Sequence, residues 1–147
     1  VRASELGYAV PDLALGQALD NLSNQLAYET DIERRGSEIA YALYVLARSR
    51  RASIGDLRYY ADTRLAEFAS PMAKAQIAAA LGLYGDSARA ETAFDAAFAA
   101  LSAAPPKVRD DYGSRLRDGA ATLALAAEAR PAPGFVPDLL RLVSSRD

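Results

Sequence analysis

Apolar residues recur at three- to four-residue intervals along this chain, and prolines and glycines separate the periodic stretches. This spacing is typical of amphipathic helices and predicts about seven of them, whereas sparse β-branched residues and the absence of tryptophan disfavour strands. The predicted helices cover residues 11–28, 37–50, 53–68 (capped by Ser53 or Asp56), 71–84, 86–104, 115–130 and a short last stretch that holds Phe135, Leu139, Leu142 and Val143.

Local start and stop signals support these boundaries. Ser70 followed by Pro71 is the clearest start, because a capping hydroxyl precedes a proline at the first helical position. Gly85 is expected to end a helix in the left-handed conformation, and Asp86 to cap the next helix. The polar residues 29–36 are predicted to form a turn.

Each predicted helix carries an apolar stripe that is expected to face a core. The stripes are Leu15, Ala18, Leu19, Leu22 and Leu26; Ile39, Leu43, Leu46 and Ala47; Leu57, Ala61, Leu65 and Phe68; Ile77, Ala80, Leu81 and Tyr84; Ala90, Ala93, Phe94, Ala97 and Leu101; and Leu116, Ala120, Leu123 and Ala127.

Three apolar hexamers, at residues 42–47, 79–84 and 121–126, resemble one another. Their members Leu46, Leu83 and Leu125 are spaced by 37 and 42 residues, which corresponds to one helix hairpin per period. Broad apolar flanks predict that these helices are buried on more than one side, whereas the more charged intervening helices form an outer layer. We therefore predict an all-α single domain over residues 1–147, built from antiparallel hairpins in a solenoid or toroid and without a sheet.

The charge and the amino-acid composition exclude several classes of function. With a net charge of −2, the chain lacks the basic excess of a dedicated nucleic-acid binder. It contains no histidine and no cysteine, so an imidazole base, a thiolate, a disulfide and a Cys/His metal site are excluded. No apolar run reaches the roughly 20 residues that a membrane span requires. The first residue is Val1 rather than methionine, which predicts an excised or processed piece.

Two polar clusters have residue types that occur in catalytic or cation-binding sites, but their spacing favours structural roles. Ser70 and Lys74 are separated by three residues rather than the two of a serine–lysine motif, which favours capping by Ser70. A cation site at Glu29, Asp31 and Glu33 lacks the glycine and the later glutamate of a calcium loop, which favours a solvated turn.

Three further stretches also favour structural roles. The pair Asp110–Asp111 is interpreted as a loop or helix entry, and residues 82–86 lack the spacing and lysine of a phosphate loop. The tyrosines are interpreted as packing residues rather than as a groove: Tyr41, Tyr44, Tyr59, Tyr60 and Tyr84. We therefore predict no enzyme activity and no catalytic, cofactor-binding or metal-binding residue.

An ordered series of segments resembles the bacterial alpha-2-macroglobulin family, in the later part of its thioester domain. The segments are GYAVPD (7–12), AYALYVLA (40–47), GDLRYY (55–60), SPMAKAQ (70–76), AALGLYGD (79–86) and YGSRLRD (112–118). The resemblance implies an α/α toroid of helix hairpins within a protease trap, whose thioester between a cysteine and a glutamine acylates the attacking protease. It also implies a periplasmic parent, lipid-anchored at the inner membrane, that works beside a penicillin-binding protein.

The chain departs from this family at the reactive bond, because it has no cysteine. Either the thioester motif lies before Val1 or the parent lacks it; the role expected for this chain is to complete the toroid, shield the bond and dock on neighbouring domains. Seven helices cannot close a six-hairpin ring, so we expect an exposed apolar edge and self-association.

Two other function classes are compatible with an all-helical chain. A tetratricopeptide-like scaffold would bind a peptide, although the observed period departs from 34 residues. An α/α-barrel enzyme is disfavoured because its histidine or aspartate-rich motif is missing.

Overall fold

The structure is a computed structural model that describes residues 1–103, 114–129 and 133–145. These residues form α-helices and no strand, which confirms the all-α prediction. The helices are α1 (Arg2–Glu5), α2 (Asp12–Tyr28), α3 (Ile32–Arg48), α4 (Ile54–Tyr59), α5 (Pro71–Leu83), α6 (Ser87–Ser102), α7 (Arg115–Glu128) and α8 (Val136–Ser144). The predicted stop at Pro105 and Pro106 lies outside the described residues.

Helix α3 begins five residues before the predicted start, so the predicted turn over residues 29–36 is mostly wrong. The Asp31 carboxylate accepts a hydrogen bond from the Arg34 amide at 3.1 Å and caps the helix. The backbone then kinks at Arg35, where φ is −120° and ψ is 19°. An aspartate cap followed by a kink therefore initiates α3 inside a stretch whose polarity resembles that of a loop.

Helix α4 does not continue as a regular α-helix to Phe68. Ser53 caps it, since its Oγ accepts a hydrogen bond from the Asp56 amide at 3.3 Å. After Tyr59 the chain widens into a π-turn over Tyr60–Arg64 and tightens into a 3-10 turn over Leu65–Glu67. This change of register buries Phe68, whose side chain is fully inaccessible to solvent.

Helix α5 is the centre of the fold. It contacts α3, α6 and α7, and most of its length is inaccessible to solvent. Its buried residues are Ala73, Lys74, Ala75, Gln76, Ile77, Ala78, Ala80 and Leu81. The three helices that carry the repeated hexamers thus pack in a row of α3, α5 and α7. The prediction that such helices are buried on more than one side is confirmed for α5.

Two apolar clusters meet across α5. The first cluster joins α3, α4 and α5 through Ile32, Ile39, Ala40, Leu43, Ala47, Leu57, Phe68, Ala73, Ile77, Ala80 and Leu81, with Ala90 of α6. The second joins α5 to α6, α7 and α8 through Ala75, Ala78, Ala93, Phe94, Ala97, Leu101, Ala126, Phe135 and Leu139. Small alanines on both sides of α5 allow the neighbouring helices to approach closely.

The predicted stripes hold for some helices and fail for others. On α6 all five predicted residues are buried. On α7 the predicted stripe is wrong, because Leu116, Ala120 and Ala127 are exposed. The buried face consists instead of Asp118, Gly119, Thr122 and Ala126. On α2 only Leu19 is buried, so this helix is an edge with a single well-packed residue.

Candidate interaction surfaces

A groove opens between α2 and α3, with a volume of about 450 Å³. It is lined by Leu22, Gln25, Leu26, Tyr28, Glu29, Arg35, Glu38, Ile39 and Ala42. Its lining combines apolar side chains, among them the half-buried Leu22 and Leu26 of α2, with charged side chains of Glu29, Arg35 and Glu38. Concave sites of this size are compatible with a small ligand or a peptide side chain. Sequence periodicity did not reveal the groove, since Leu22, Leu26 and Ile39 belong to two ordinary stripes and the polar lining residues show no distinctive spacing.

The acidic residues near the start of α3 are engaged in the local fold. Glu29 accepts a hydrogen bond from the Asp31 amide at 3.1 Å and from the Arg35 guanidinium at 2.7 Å. Asp31 caps α3, and Glu33 is exposed without an ion pair to another described residue. Within the described part of the chain, no group of three or more acidic side chains is close enough together to hold a metal ion. The pair Asp110–Asp111 lies outside that part.

Ser70 occupies the predicted cap position of α5, but its hydroxyl makes no capping hydrogen bond. Its Oγ is buried without a hydrogen-bond partner. One turn later, the buried Lys74 Nζ donates to the Leu65 carbonyl at 2.6 Å, and burial lowers the pKa of this amine. Lys74 therefore provides a hydrogen-bond donor to a backbone carbonyl of the 3-10 turn, which is a structural role for this lysine.

The five tyrosines singled out from the sequence occupy separate places. Tyr41 and Tyr59 are largely exposed, and Tyr60 packs edge-on against Phe68 with ring centroids 5.9 Å apart. The Tyr84 hydroxyl donates to the Ala52 carbonyl at 2.7 Å. Tyr60 and Tyr84 thus pack at helix junctions, as predicted, and the Tyr44 ring lies beside the Arg48 guanidinium. The exposed Tyr41 does not fit the predicted packing role.

The turn between α5 and α6 has the predicted backbone and an unpredicted charge arrangement. Gly85 adopts a φ of 79°, in the left-handed region, and the Asp86 amide donates to the Leu81 carbonyl at 3.1 Å. Asp86 is the first residue before α6, but its carboxylate does not cap the helix. It binds the Arg58 guanidinium at 2.7 Å and that of Arg89 at 3.3 Å, which ties α4 to α6.

Several large apolar side chains are exposed at the N-terminal end of the chain. Leu6 is 59% exposed, Tyr8 69% and Leu13 76%. Leu6 and Tyr8 precede the poorly buried helix α2, and Leu13 lies in its first turn. The sequence predicted an exposed apolar edge but did not place it on a particular helix. None of the described helices combines the length and the hydropathy of a membrane span.

A second polar site that sequence patterns did not reveal surrounds Arg48 at the end of α3. Its guanidinium donates to both carboxylate oxygens of Glu5, at 2.9 and 2.5 Å, and to the Tyr44 hydroxyl at 2.7 Å. It also reaches Glu128 of α7 at 3.3 Å. Arg48 thereby joins α1, α3 and α7. Its hydrogen bonds to Glu5 lower the pKa of that carboxyl.

Comparison with known proteins identifies the family of this chain. No protein-family model matches it. An alpha-2-macroglobulin of Xylella fastidiosa is 37% identical over 131 residues, which cover 84% of this chain and 8% of the relative.

The solved structures that resemble this chain belong to the same family as its sequence relatives. The native conformation of Escherichia coli alpha-2-macroglobulin superposes with a TM-score of 0.82 at 31% identity, covering 99% of this chain and 10% of that one. Salmonella alpha-2-macroglobulin reacted with methylamine gives a TM-score of 0.82 at 32% identity, again over 99% of this chain and 10% of that one. The chain therefore belongs to the bacterial alpha-2-macroglobulin family, and it spans about a tenth of the length of the solved members it matches.

Proposed function

We propose that this chain is a non-catalytic, structural portion of a bacterial alpha-2-macroglobulin-like protease-trapping inhibitor. Its task is to shield or dock a thioester region that lies outside residues 1–147. The observation that carries the proposal is α5, a helix buried along most of its length between α3 and α7 in a chain of this family. Such a helix provides a rigid wall.

The domain assignment is part of the same proposal. Residues 1–147 form one helical domain, the later part of an α/α toroid, in which α3, α5 and α7 are inner helices. The row of these helices and the repeat periods of 37 and 42 residues support this arrangement. The poorly buried α2 is the edge that neighbouring helices cover, and an isolated chain self-associates through it.

The partners and the location that we propose are those that the family resemblance implies. The parent traps proteases, docks this domain on its neighbouring domains and works beside a penicillin-binding protein. It resides in the periplasm, anchored by lipid to the inner membrane. The Salmonella relative reacts with methylamine, as its solved form records, and this small amine is a convenient probe of a thioester.

The shielding role is tested in the full-length protein encoded by the parent reading frame. Methylamine opens an accessible thioester and frees the cysteine thiol, which a thiol reagent measures. Ala78→Leu overpacks the fully buried face of α5, whereas Ala88→Leu alters an exposed position of α6. We expect faster thiol release for Ala78→Leu before any protease is added, and the wild-type rate for Ala88→Leu.

Two results would contradict the proposal. Equal thiol release from wild type and Ala78→Leu, with circular dichroism showing a destabilised domain, would reject shielding by this segment. Failure of the wild-type protein to retain trypsin on denaturing gels, together with an absence of releasable thiol, would reject the thioester trap itself.

A tetratricopeptide-like peptide-binding scaffold is the alternative, and the groove between α2 and α3 is the observation in its favour. Superposition of 99% of the chain on alpha-2-macroglobulin favours the trap instead. The coding sequence around this segment separates the two. A Cys–Glu–Gln stretch upstream with flanking β-sandwich domains supports the trap, and tandem 34-residue repeats support the scaffold.

A further inference from the structure

Arg48 and Glu5 form a bidentate salt bridge. The Arg48 Nε lies 2.9 Å from Oε1 of Glu5, and Nη2 lies 2.5 Å from Oε2. Two parallel N–H···O bonds of this kind match the planar guanidinium to the planar carboxylate. The contact joins residues 43 positions apart.

The arginine side of this contact is held in place by other groups. Nη1 of Arg48 donates to the Tyr44 hydroxyl at 2.7 Å and lies 3.3 Å from Glu128 Oε2. The guanidinium carbon lies 5.6 Å from the centre of the Tyr44 ring, and the side chain is only 20% exposed. Packing and hydrogen bonds therefore orient the guanidinium independently of Glu5.

The glutamate side is only weakly attached. Helix α1 has four residues and none of them is buried. Its backbone hydrogen bonds stay within the segment, for example from the Tyr8 amide to the Ala3 carbonyl at 3.0 Å. Among the described residues, the hydrogen bonds between residues 1–8 and the rest of the chain are those that Glu5 accepts from Arg48. Glu5 thus resembles a ligand on a short tether.

We propose that Arg48 and Tyr44 form a carboxylate-binding site that Glu5 fills from within the chain, and that a glutamate side chain of an acidic peptide displaces Glu5 together with α1. Displacement exposes the ends of α3 and α7 to the incoming segment. A tethered competitor acts at a millimolar effective concentration, so the site is weak for a free ligand until Glu5 is removed. The inference goes beyond the protease trap and does not rest on it.

The tether is tested by hydrogen exchange on the 147-residue chain. Glu5→Gln keeps the shape of the side chain and removes its charge, and Glu33→Gln is the matched control at an exposed glutamate without an ion pair. We expect the amides of residues 5–8 to exchange roughly two- to fivefold faster in Glu5→Gln only, with α3 and α5 unchanged. Unchanged exchange at residues 5–8 would show that Arg48 does not hold α1.

The site itself is tested by titrating Glu5→Gln with N-acetylglutamate α-amide, whose side chain has the same carboxylate as Glu5. The Nε–H resonance of Arg48 should shift and saturate, while those of Arg51, Arg58 and Arg89 report non-specific charge effects. The neutral N-acetylglutamine α-amide should cause no shift, and wild type should require a higher concentration of the acid. An unmoved Arg48 signal, or an equal response to the neutral amide, would overturn the proposal.

Discussion

Gly36 lies so close to Phe68 that a Cβ built on the glycine would stand 3.3 Å from Cδ1 of the ring. The same Cβ would stand 3.3 Å from Cγ2 of Ile32. Phe68 is fully buried and packs edge-on against Tyr60, so the ring has little room to move. The glycine therefore permits the end of the widened α4 segment to rest against the kinked start of α3.

This contact makes the effect of Gly36→Ala depend on packing rather than on helix propensity. Alanine would gain up to about 1 kcal/mol over glycine within a helix. Displacing a locked core ring costs more than this gain, so we expect the free energy of unfolding to fall by about 1 kcal/mol. Urea unfolding measures it.

Gly16→Ala is the matched control, because Gly16 lies within α2 and nothing lies within 4 Å of its built Cβ. We expect it to stabilise the protein by about 0.5–1 kcal/mol. Equal stabilisation by both substitutions would show that Phe68 yields to a methyl group.

The sequence pattern predicted helices well where one apolar stripe faces one core. Helix α6 is the clearest case, since its alanines with Phe94 and Leu101 all face the second cluster. The prediction of the buried face failed for α7, because that face contains the polar residues Asp118 and Thr122. The Asp118 carboxylate accepts hydrogen bonds from Arg117 at 3.1 and 2.8 Å. A hydrophobic period cannot recognise a face that is buried through polar side chains.

The Arg48 site was invisible to sequence reasoning for a different reason. Its partners Glu5 and Glu128 lie 43 and 80 positions away along the chain. An arginine in the last turn of a helix is also expected from the helix dipole alone, so its presence there does not indicate a tertiary contact. Local spacing specifies helices, but a contact across three of them requires the tertiary arrangement.

Arg50 adopts a φ of 58°, a left-handed conformation that side chains other than glycine rarely occupy. Its guanidinium donates to the Leu83 carbonyl at 2.5 Å and lies over the Tyr84 ring at 5.8 Å. Arg50→Ala and Arg50→Gly both lose these contacts, and only the glycine relieves the backbone. We expect Arg50→Gly to be more stable than Arg50→Ala by about 1 kcal/mol, measured by thermal unfolding.

Arg34 supplies the opposite control, because it lies in the right-handed first turn of α3. There alanine should be more stable than glycine by up to about 1 kcal/mol. The same order of stability at both positions would mean that the backbone at residue 50 is not strained.

The buried amine of Lys74 should make the stability of the protein depend on pH in the alkaline range. Burial lowers its pKa below the ordinary value of 10.5, so between the two pKa values the unfolded chain binds more protons than the folded one. The stability of wild type relative to Lys74→Met should therefore rise as the pH increases from neutral toward 10.5. Urea unfolding of both proteins across that range tests this, because the other titrating groups cancel in the difference. A difference independent of pH would show that the amine is as well solvated as in the unfolded chain.

The carboxylate of Asp86 should make the stability of the protein depend on pH in the acidic range. The Arg58 guanidinium, hydrogen-bonded to its carboxylate at 2.7 Å, lowers the pKa of Asp86 below the ordinary 3.8, and Arg89 adds to the effect. The folded state then binds fewer protons than the unfolded state, so this contribution to stability is present above pH 3.8 and is lost as the pH falls through the lower folded value.

The variant Asp86→Asn tests this dependence, because asparagine is as favourable as aspartate before a helix and only the charge is removed. We expect wild type to be more stable than Asp86→Asn at about pH 5, and the two to converge as the carboxylate is protonated. Asp95→Asn, at an exposed position of α6 without an ion pair among the described residues, should leave the acid dependence unchanged. A wild-type advantage that persists at about pH 2 would mean that the link between α4 and α6 depends on shape rather than on charge.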